Sequence, residues 1–188
     1  ANRVNTGRET FILPVDWSGT FPVFKGGLEP IQPKLSMPQG VKNETGKNGY
    51  FPNGNFTFTE TFTGSSLDYR WVGVRGAREG FISTTAEGLT ITPYETNIKA
   101  VLPTSTLFYR QQHLNFTATT TLKYVPRTEK DLAGITCYQS EKFNYVFGVT
   151  KKAEDSYIVL QRTEKGESST IASEKIEGNT PISLRVTA

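Results

Sequence analysis

The sequence is poor in the residues that most often bind metals or perform covalent catalysis. Among 188 residues it has one cysteine, Cys137, and one histidine, His113. A single cysteine cannot form an intrachain disulfide, and one histidine plus one cysteine cannot supply the nitrogen and sulfur ligands of a typical zinc site. A serine, histidine and aspartate triad would need His113, and no Gly-x-Ser-x-Gly motif accompanies it. Cys137 lies in an apolar run, residues 132–138, where we expect it to be a small buried hydrophobic residue.

The sequence also lacks a strong charge imbalance and a long apolar run. Its 21 basic and 18 acidic residues give a formal net charge of +3, whereas a nucleic-acid surface needs lysines and arginines clustered on one face. No apolar stretch approaches the roughly 20 residues of a membrane-spanning helix. We therefore expect neither a nucleic-acid partner nor a membrane. A mature secreted or periplasmic protein has the same features, and we expect one of these two locations.

A third absence concerns helices. No window has an apolar period of three to four residues over more than a turn or two, so a helical fold is not expected. The dominant pattern is period two: Phe56, Phe58 and Phe62 alternate with polar residues, mostly threonines, and residues 114–124 repeat this alternation. Such alternation is typical of strands with one face toward a core. Further strands are predicted at residues 69–74, 80–84, 88–92, 107–110, 133–138, 143–149, 157–162 and 170–173.

The strands are short, evenly spaced and separated by glycine and charged turn residues. This arrangement favours antiparallel strands over alternating strands and helices. We predict an all-β fold, with residues 55–188 forming an antiparallel two-sheet β-sandwich of the jelly-roll type. Residues 182–187 alternate as a further half-buried strand directly before the sequence stops. We therefore expect this sandwich to be truncated at its C-terminus.

Residues 29–54 interrupt the apolar pattern. They contain repeated prolines, glycines, lysines and asparagines, which predict a partly stiff linker or a long surface crossing. The linker separates the sandwich from residues 7–24, which are apolar and strand-like. We expect residues 1–28 to belong to a different domain, most of which is not in this sequence.

Exposed aromatic residues are one candidate for ligand binding. Sugar rings stack on tryptophan and tyrosine while neighbouring polar groups bind their hydroxyls. The candidates for such a surface are Trp71, Tyr94, Tyr109 and Tyr138. The alternative is that these rings fill the core between two sheets, since Trp71 alternates along its strand as a core residue would.

Acidic residues are the second candidate. Asp131, Glu154 and Asp155 are predicted to lie in loops, where their carboxylates could bind calcium, or else form ordinary solvated turns. Glycosidic cleavage needs two carboxylates on either side of one sugar. The remaining acids mostly adjoin lysines, as in Glu141 and Lys142, which is typical of a charged surface. No catalytic residue, no metal site and no cofactor is therefore assigned.

Several motifs together resemble a known enzyme family. Gly-Arg-Glu-Thr-Phe-Ile-Leu-Pro-Val-Asp-Trp at 7–17, followed by Phe-Pro-Val-Phe at 21–24, resembles the last blade of the five-bladed β-propeller of family-43 glycoside hydrolases. Phe-Thr-Gly-Ser-Ser-Leu-Asp-Tyr-Arg-Trp at 62–71 and Arg-Gln-Gln-His at 110–113 resemble the concanavalin A-like C-terminal sandwich of its β-xylosidases and α-L-arabinofuranosidases. The resemblance covers nearly the whole chain.

The resemblance implies an enzyme that removes xylose or arabinose from plant cell-wall polysaccharide with inversion. Its aspartate base and glutamate acid would lie on earlier propeller blades, and the rest of that propeller is the expected partner of this chain. The resemblance places one substrate-binding residue here, Arg8, whose guanidinium could hold vicinal sugar hydroxyls. The alternative for Arg8 is an ion pair with Glu9.

Two other functions remain open. The sandwich could be an independent carbohydrate-binding module that uses exposed aromatic residues to bind xylan or arabinan. It could also be a structural spacer without a ligand. If the chain is instead the accessory part of a glycosidase, we expect it to be inactive alone.

Overall fold

The computed structural model describes residues 11–27, 29–32, 34–36, 39–40, 55–178 and 181–188. The chain divides into two compact units, Ala1–Phe58 and Thr59–Ala188. The prediction of a linker at residues 29–54 falls largely outside the described residues and stays a prediction.

In the described part of the first unit, two short antiparallel strands form a hairpin. Strand β1 is Val15–Asp16 and strand β2 is Val23–Phe24, with Val15 opposite Phe24. Large apolar side chains of this hairpin face solvent: Trp17 is 74% exposed and Phe21 is 77% exposed. The hairpin therefore has strand character, as the sequence predicts, but buries few of its own apolar side chains.

The second unit is built from ten strands and one short 3-10 turn, Arg78–Gly80, in the part of the chain that is described. The strands are Trp71–Gly73 (β3), Ile82–Thr85 (β4), Gly88–Ile91 (β5), Leu107–Tyr109 (β6), Thr117–Leu122 (β7), Leu132–Ser140 (β8), Phe143–Lys152 (β9), Asp155–Glu164 (β10), Glu167–Ile176 (β11) and Ile182–Thr187 (β12).

Antiparallel pairing gives one four-stranded sheet, in the order β11, β10, β9, β8, and three two-stranded sheets that pair β3 with β6, β4 with β5, and β7 with β12. The predicted all-β, antiparallel class is confirmed.

Strands β8, β9, β10 and β11 follow one another in the sequence and are connected by short hairpin loops. The loop between β9 and β10 has Ala153 at φ 52°, and the loop between β10 and β11 has Lys165 at φ 54° and Gly166 at φ 91°. Two-residue hairpins favour positive φ because that geometry matches the twist of the flanking strands. These loops set the pairing of β9 with β10 and the start of the pairing of β10 with β11.

Strand β11 is one of the two edge strands of this sheet, and nine of its ten residues are exposed. Its pairing with β10 contains a bulge: Leu160 pairs with Ala172 and Gln161 pairs with Thr170, so Ile171 has no direct partner. Serines, threonines and charged residues make up most of the strand.

A cross-strand glycine pair joins β8 and β9. Gly134 lies opposite Gly148, and a Cβ added at either position would overlap the backbone of the facing strand. Only residues without a side chain permit this close backbone approach.

The described core contains four buried apolar side chains: Phe81, Val149, Val159 and Leu184. Buried polar residues accompany them, including Asn144, which donates from Nδ2 to the carbonyl oxygen of Ser140 at 3.1 Å. The long strands of the four-stranded sheet therefore supply half of this core.

One predicted strand is wrong. Phe56, Phe58 and Phe62 lie outside every sheet, although their spacing is that of a strand. Phe62 has a φ of 57°, and its backbone N–H donates to the Glu60 carboxylate at 3.0 Å, so the chain bends where a strand would have to continue. Separately, none of the described helical segments is long and apolar enough to cross a membrane.

Candidate functional site

Arg8, the substrate-binding residue that the resemblance implies, lies outside the described residues. Among the described residues, the β1 to β2 hairpin contains a cavity of about 260 Å³. One wall carries Asp16, whose carboxylate accepts hydrogen bonds from the backbone N–H and the hydroxyl of Ser18, at 2.9 and 2.7 Å. These bonds, with the backbone N–H first, lower the pKa of Asp16. An ionised carboxylate bonded in this way positions the turn and is a poor proton donor. The lining residues are Asp16, Ser18, Gly19, Phe21, Val23, Phe24 and Lys25.

Two of the candidate sugar-binding aromatics pack against each other. The Trp71 ring meets the Tyr109 ring edge to face at 5.4 Å between centroids, and the Phe62 ring lies 5.0 Å from Trp71 on a tilted plane. Edge-to-face contact of this kind stabilises aromatic pairs beyond the area they bury. Trp71 is half-buried on β3. Its position agrees with the core-packing interpretation.

The other two candidates, Tyr94 and Tyr138, lie in separate ring pairs. Tyr138 packs against Phe108 at 5.2 Å, and Tyr94 meets the buried Phe81 edge to face at 5.8 Å. Tyr94 is 40% exposed. The four candidates form three ring clusters rather than one flat sugar platform.

The three acidic residues that are expected in loops make separate contacts, and the expectation is wrong for Asp155, which is the first residue of β10. Glu154 pairs with Lys151 at 3.2 Å and Asp155 pairs with Lys175 at 2.7 Å. Within the described residues there is no group of three or more histidine, cysteine, aspartate or glutamate side chains that could hold a metal ion. The arrangement provides no described calcium site.

The Asp131 carboxylate instead stabilises the turn before β8 through hydrogen bonds. Its carboxylate accepts hydrogen bonds from the hydroxyls of Thr128 and Tyr124, at 2.7 and 3.2 Å, and from the backbone N–H groups of Arg127 and Thr128. These donors, led by the Thr128 hydroxyl, lower the pKa of Asp131 to about 2. Its backbone oxygen also accepts from the Thr150 hydroxyl at 2.6 Å, which ties the turn to β9.

Arg78 stabilises a second segment, residues 67–71, through hydrogen bonds to its backbone, and it lies beside a shallow cavity of about 230 Å³. Its guanidinium donates to the carbonyl oxygens of Leu67 at 2.8 Å, Asp68 at 2.6 Å and Trp71. The cavity beside it combines hydroxyl groups with a few apolar side chains. The residues that line it are Ser65, Ser66, Leu67, Arg78, Glu79, Ile82, Ser83 and Thr84.

Sequence reasoning misses Arg78, because its acceptors are main-chain carbonyls that leave no pattern in the sequence. A signal does exist for Asp131: an aspartate three residues after Thr128 is typical of a side-chain-bonded turn. Cys137 is expected to be buried and is half-buried, and this partial burial raises the pKa of its thiol.

A family model described as the beta xylosidase C-terminal concanavalin A-like domain matches residues 59–188. This match covers more than half of the chain. It also agrees with the second compact unit, which begins at Thr59.

Longer proteins align with nearly the whole chain. The crystal structure of a GH43_12 protein retrieved from a capybara gut metagenome is 49% identical, with a TM-score of 0.85, and the alignment covers 98% of this chain and 36% of that chain. A protein of Butyrivibrio fibrisolvens named xylosidase/arabinosidase is 27% identical over 176 residues, which are 90% of this chain and 32% of that protein.

A third comparison concerns the fold alone. The GH43 protein BlXynB from Bacillus licheniformis is 22% identical with a TM-score of 0.74, over 97% of this chain and 34% of that chain. The chain thus spans about one third of the length of the relatives that it matches. With its antiparallel sheets and the match over residues 59–188, the chain belongs to the family of β-xylosidase C-terminal concanavalin A-like domains.

Proposed function

We propose that this chain is the C-terminal accessory region of a glycoside hydrolase that removes xylose or arabinose from plant cell-wall polysaccharide. The observation that carries the proposal is the family match over residues 59–188. In this proposal, residues 55–188 support a catalytic propeller and help to close its pocket, and residues 1–28 contribute the end of that propeller.

The contacts of the aromatic side chains favour a supporting role for the sandwich. A free sugar-binding module needs an exposed ring surface, whereas Trp71, Tyr109 and Tyr138 each pack against another ring and are half-buried. Rings placed in this way stabilise the sandwich. They are less suited to stacking on a polysaccharide.

The pentose specificity is supported by the relative from Butyrivibrio fibrisolvens, which is named a xylosidase/arabinosidase. We place the two catalytic carboxylates in polypeptide other than these 188 residues. The contribution of this chain to substrate binding is Arg8, whose planar guanidinium can donate two hydrogen bonds to adjacent sugar hydroxyls.

The complete polypeptide that carries this chain provides the test. We expect it to hydrolyse 4-nitrophenyl β-D-xyloside, 4-nitrophenyl α-L-arabinofuranoside or both. Replacing Arg8→Ala should lower kcat/KM by roughly 10- to 100-fold, because hydrogen bonds from a charged donor are lost in a site that excludes water. Arg8→Lys should restore only part of this loss, since an ammonium lacks the two-pronged geometry.

The matched control is Arg185→Ala, which removes an exposed arginine on β12 and should leave kcat/KM unchanged. Equal kinetics for the Arg8 and Arg185 variants would refute the role of Arg8. The absence of activity on both pentosides in a folded, complete polypeptide would refute the proposed function itself.

A further inference from the structure

The loop between β5 and β6, residues 92–106, combines tight internal bonding with exposed apolar side chains at its tip. Two hydrogen bonds cross the loop at its base, which we call the neck and which consists of residues 94–96 and 103–105. The backbone N–H of Tyr94 donates to Ser105 Oγ at 2.6 Å, and Thr96 Oγ1 donates to the carbonyl oxygen of Pro103 at 2.6 Å. Thr104, within the neck, is buried. The neck is therefore anchored in the sandwich.

The tip of this loop is held by a turn of its own. The backbone N–H of Ala100 donates to the carbonyl oxygen of Asn97 at 3.0 Å, and the backbone N–H of Lys99 donates to Asn97 Oδ1 at 2.9 Å. An asparagine that bonds its own backbone two residues further on stabilises a turn locally. The tip thus has a defined backbone conformation.

An arginine from another loop braces the tip from outside. Arg75 donates from one guanidinium nitrogen to the carbonyl oxygen of Ala100 at 3.1 Å, and from another to Glu141 at 3.0 Å. Arg75 has a φ of 58°, a left-handed conformation that is unfavourable for a residue with a side chain. The surrounding contacts hold this conformation, which directs the side chain to the 92–106 loop and to the turn between β8 and β9.

The two residues that follow Ala100, the residue to which Arg75 bonds, are apolar and face solvent. Val101 is 70% exposed and Leu102 is 56% exposed. Exposed aliphatic side chains on a mobile loop would need no explanation. On a braced loop they keep a fixed position, so little conformational entropy is lost when another surface covers them.

We propose that the tip of the 92–106 loop, with Val101 and Leu102, docks into polypeptide of the same enzyme that lies outside these 188 residues. The relatives favour this occupant: the GH43_12 protein aligns with 98% of this chain, and this alignment covers only 36% of its own length. About two thirds of such an enzyme is therefore available to cover the tip. This inference rests on one part of the proposed function, namely that this chain is a region of a longer polypeptide. The matching surface would be an apolar depression wide enough for two adjacent aliphatic side chains.

Site-specific photocrosslinking in the complete polypeptide tests the docking. The crosslinker p-benzoylphenylalanine replaces Val101 in one variant and Val125 in the other. Val125, which is 51% exposed between β7 and β8, is the matched control. Both positions face solvent, so neither replacement disturbs the buried core. The crosslinked peptides are then identified by mass spectrometry.

Docking predicts that the Val101 variant gives a crosslink to a peptide outside residues 1–188, within a single molecule, in a yield several-fold above that of the Val125 variant. Hydrogen exchange of the complete wild-type protein should also be slow in peptides that contain residues 99–103. Crosslinks confined to residues 1–188, crosslinks between two molecules, or equal yields at the two positions would each overturn the inference.

Pentoside hydrolysis by the same preparations separates this inference from the proposed function. Hydrolysis without the predicted crosslink would refute docking and leave the glycosidase standing. The predicted crosslink in a folded protein without pentoside hydrolysis would refute the glycosidase and leave docking standing.

Discussion

At the residue scale, Asp131 offers a test based on its ionisation. Its pKa is lowered to about 2 in the folded chain, whereas the pKa of an unfolded aspartate is about 3.9. A carboxylate whose pKa is lower in the folded state stabilises the protein at pH values above its unfolded pKa. This stabilisation is lost as the pH falls through the folded-state pKa. Asp131→Asn should therefore lower Tm by a few degrees at neutral pH. The difference from wild type should shrink between about pH 4 and pH 2.

Thermal unfolding of this chain followed by circular dichroism across that pH range measures the effect. Glu154→Gln is the control, because Glu154 is almost fully exposed and pairs only with Lys151 among its described contacts. Exposed pairs of this kind contribute little to stability. A Tm difference for Asp131→Asn that stays constant from neutral to acidic pH would contradict the role of its charge.

The residue scale is also where the sequence predicts least. Trp71 and Tyr138 are residue types that often stack on sugars, so sequence alone allows either sugar binding or core packing. The ring contacts, with centroids 5.4 and 5.2 Å apart, favour packing. Arg78 bonds main-chain carbonyls that any sequence possesses. Arg8 remains a prediction from resemblance, since it lies outside the described residues.

At the element scale, the glycine pair between β8 and β9 gives a second test. A methyl group at Gly134 would overlap the carbonyl oxygen of Phe147, and one at Gly148 would overlap that of Ala133. Because backbone cannot move aside as a flexible side chain can, Gly134→Ala should destabilise the chain by about 1 to 3 kcal/mol or more. Urea unfolding of this chain measures the change. Gly148→Ala should behave in the same way.

Gly64→Ala is the control for this prediction. A Cβ at Gly64 would lie 3.5 Å from the carbonyl oxygen of Ser66, which is an ordinary contact, and should change stability little. If Gly134→Ala were as stable as Gly64→Ala, the two long strands would have to approach each other less closely than described.

Strands are the elements that the sequence predicts well. Every strand predicted from residue 69 onward overlaps an observed one, because alternation over several residues reports which face is buried. The failure at Phe56, Phe58 and Phe62 has a local cause. Spacing alone does not encode the positive φ of Phe62 or the hydrogen bond from its N–H to Glu60.

At the scale of the whole molecule, the proposed function predicts that the 188-residue chain alone is inactive. It should hydrolyse neither 4-nitrophenyl β-D-xyloside nor 4-nitrophenyl α-L-arabinofuranoside, because the proposed catalytic carboxylates lie elsewhere. In affinity electrophoresis its migration should be the same with and without xylan in the gel. Turnover that persists through repeated purification would contradict the first expectation.

The same experiment distinguishes the alternative of a carbohydrate-binding module. Retardation by xylan that disappears in Tyr94→Ala would favour the module, since Tyr94 is the most exposed of the four candidate rings. Phe58→Ala serves as the control, with a ring of similar exposure, 38%, outside the sandwich strands.

The domain arrangement stays a prediction from the sequence. Composition changes from turn-rich to alternating at residue 55, whereas the second compact unit begins at Thr59. The compartment, the propeller and the linker remain predictions. In the proposed enzyme, discrimination between xylose and arabinose would depend on hydroxyl contacts in a pocket that we place mainly in other polypeptide.

The bulge at Ile171 has a consequence for solubility. An outer strand with ten residues is a template on which extended segments of other molecules can add and begin fibrillar growth. The extra residue shifts the spacing of the outward-facing N–H and C=O groups halfway along β11, so a straight incoming strand can match only one half at a time. This irregular edge thus protects the chain against aggregation along a long, exposed strand.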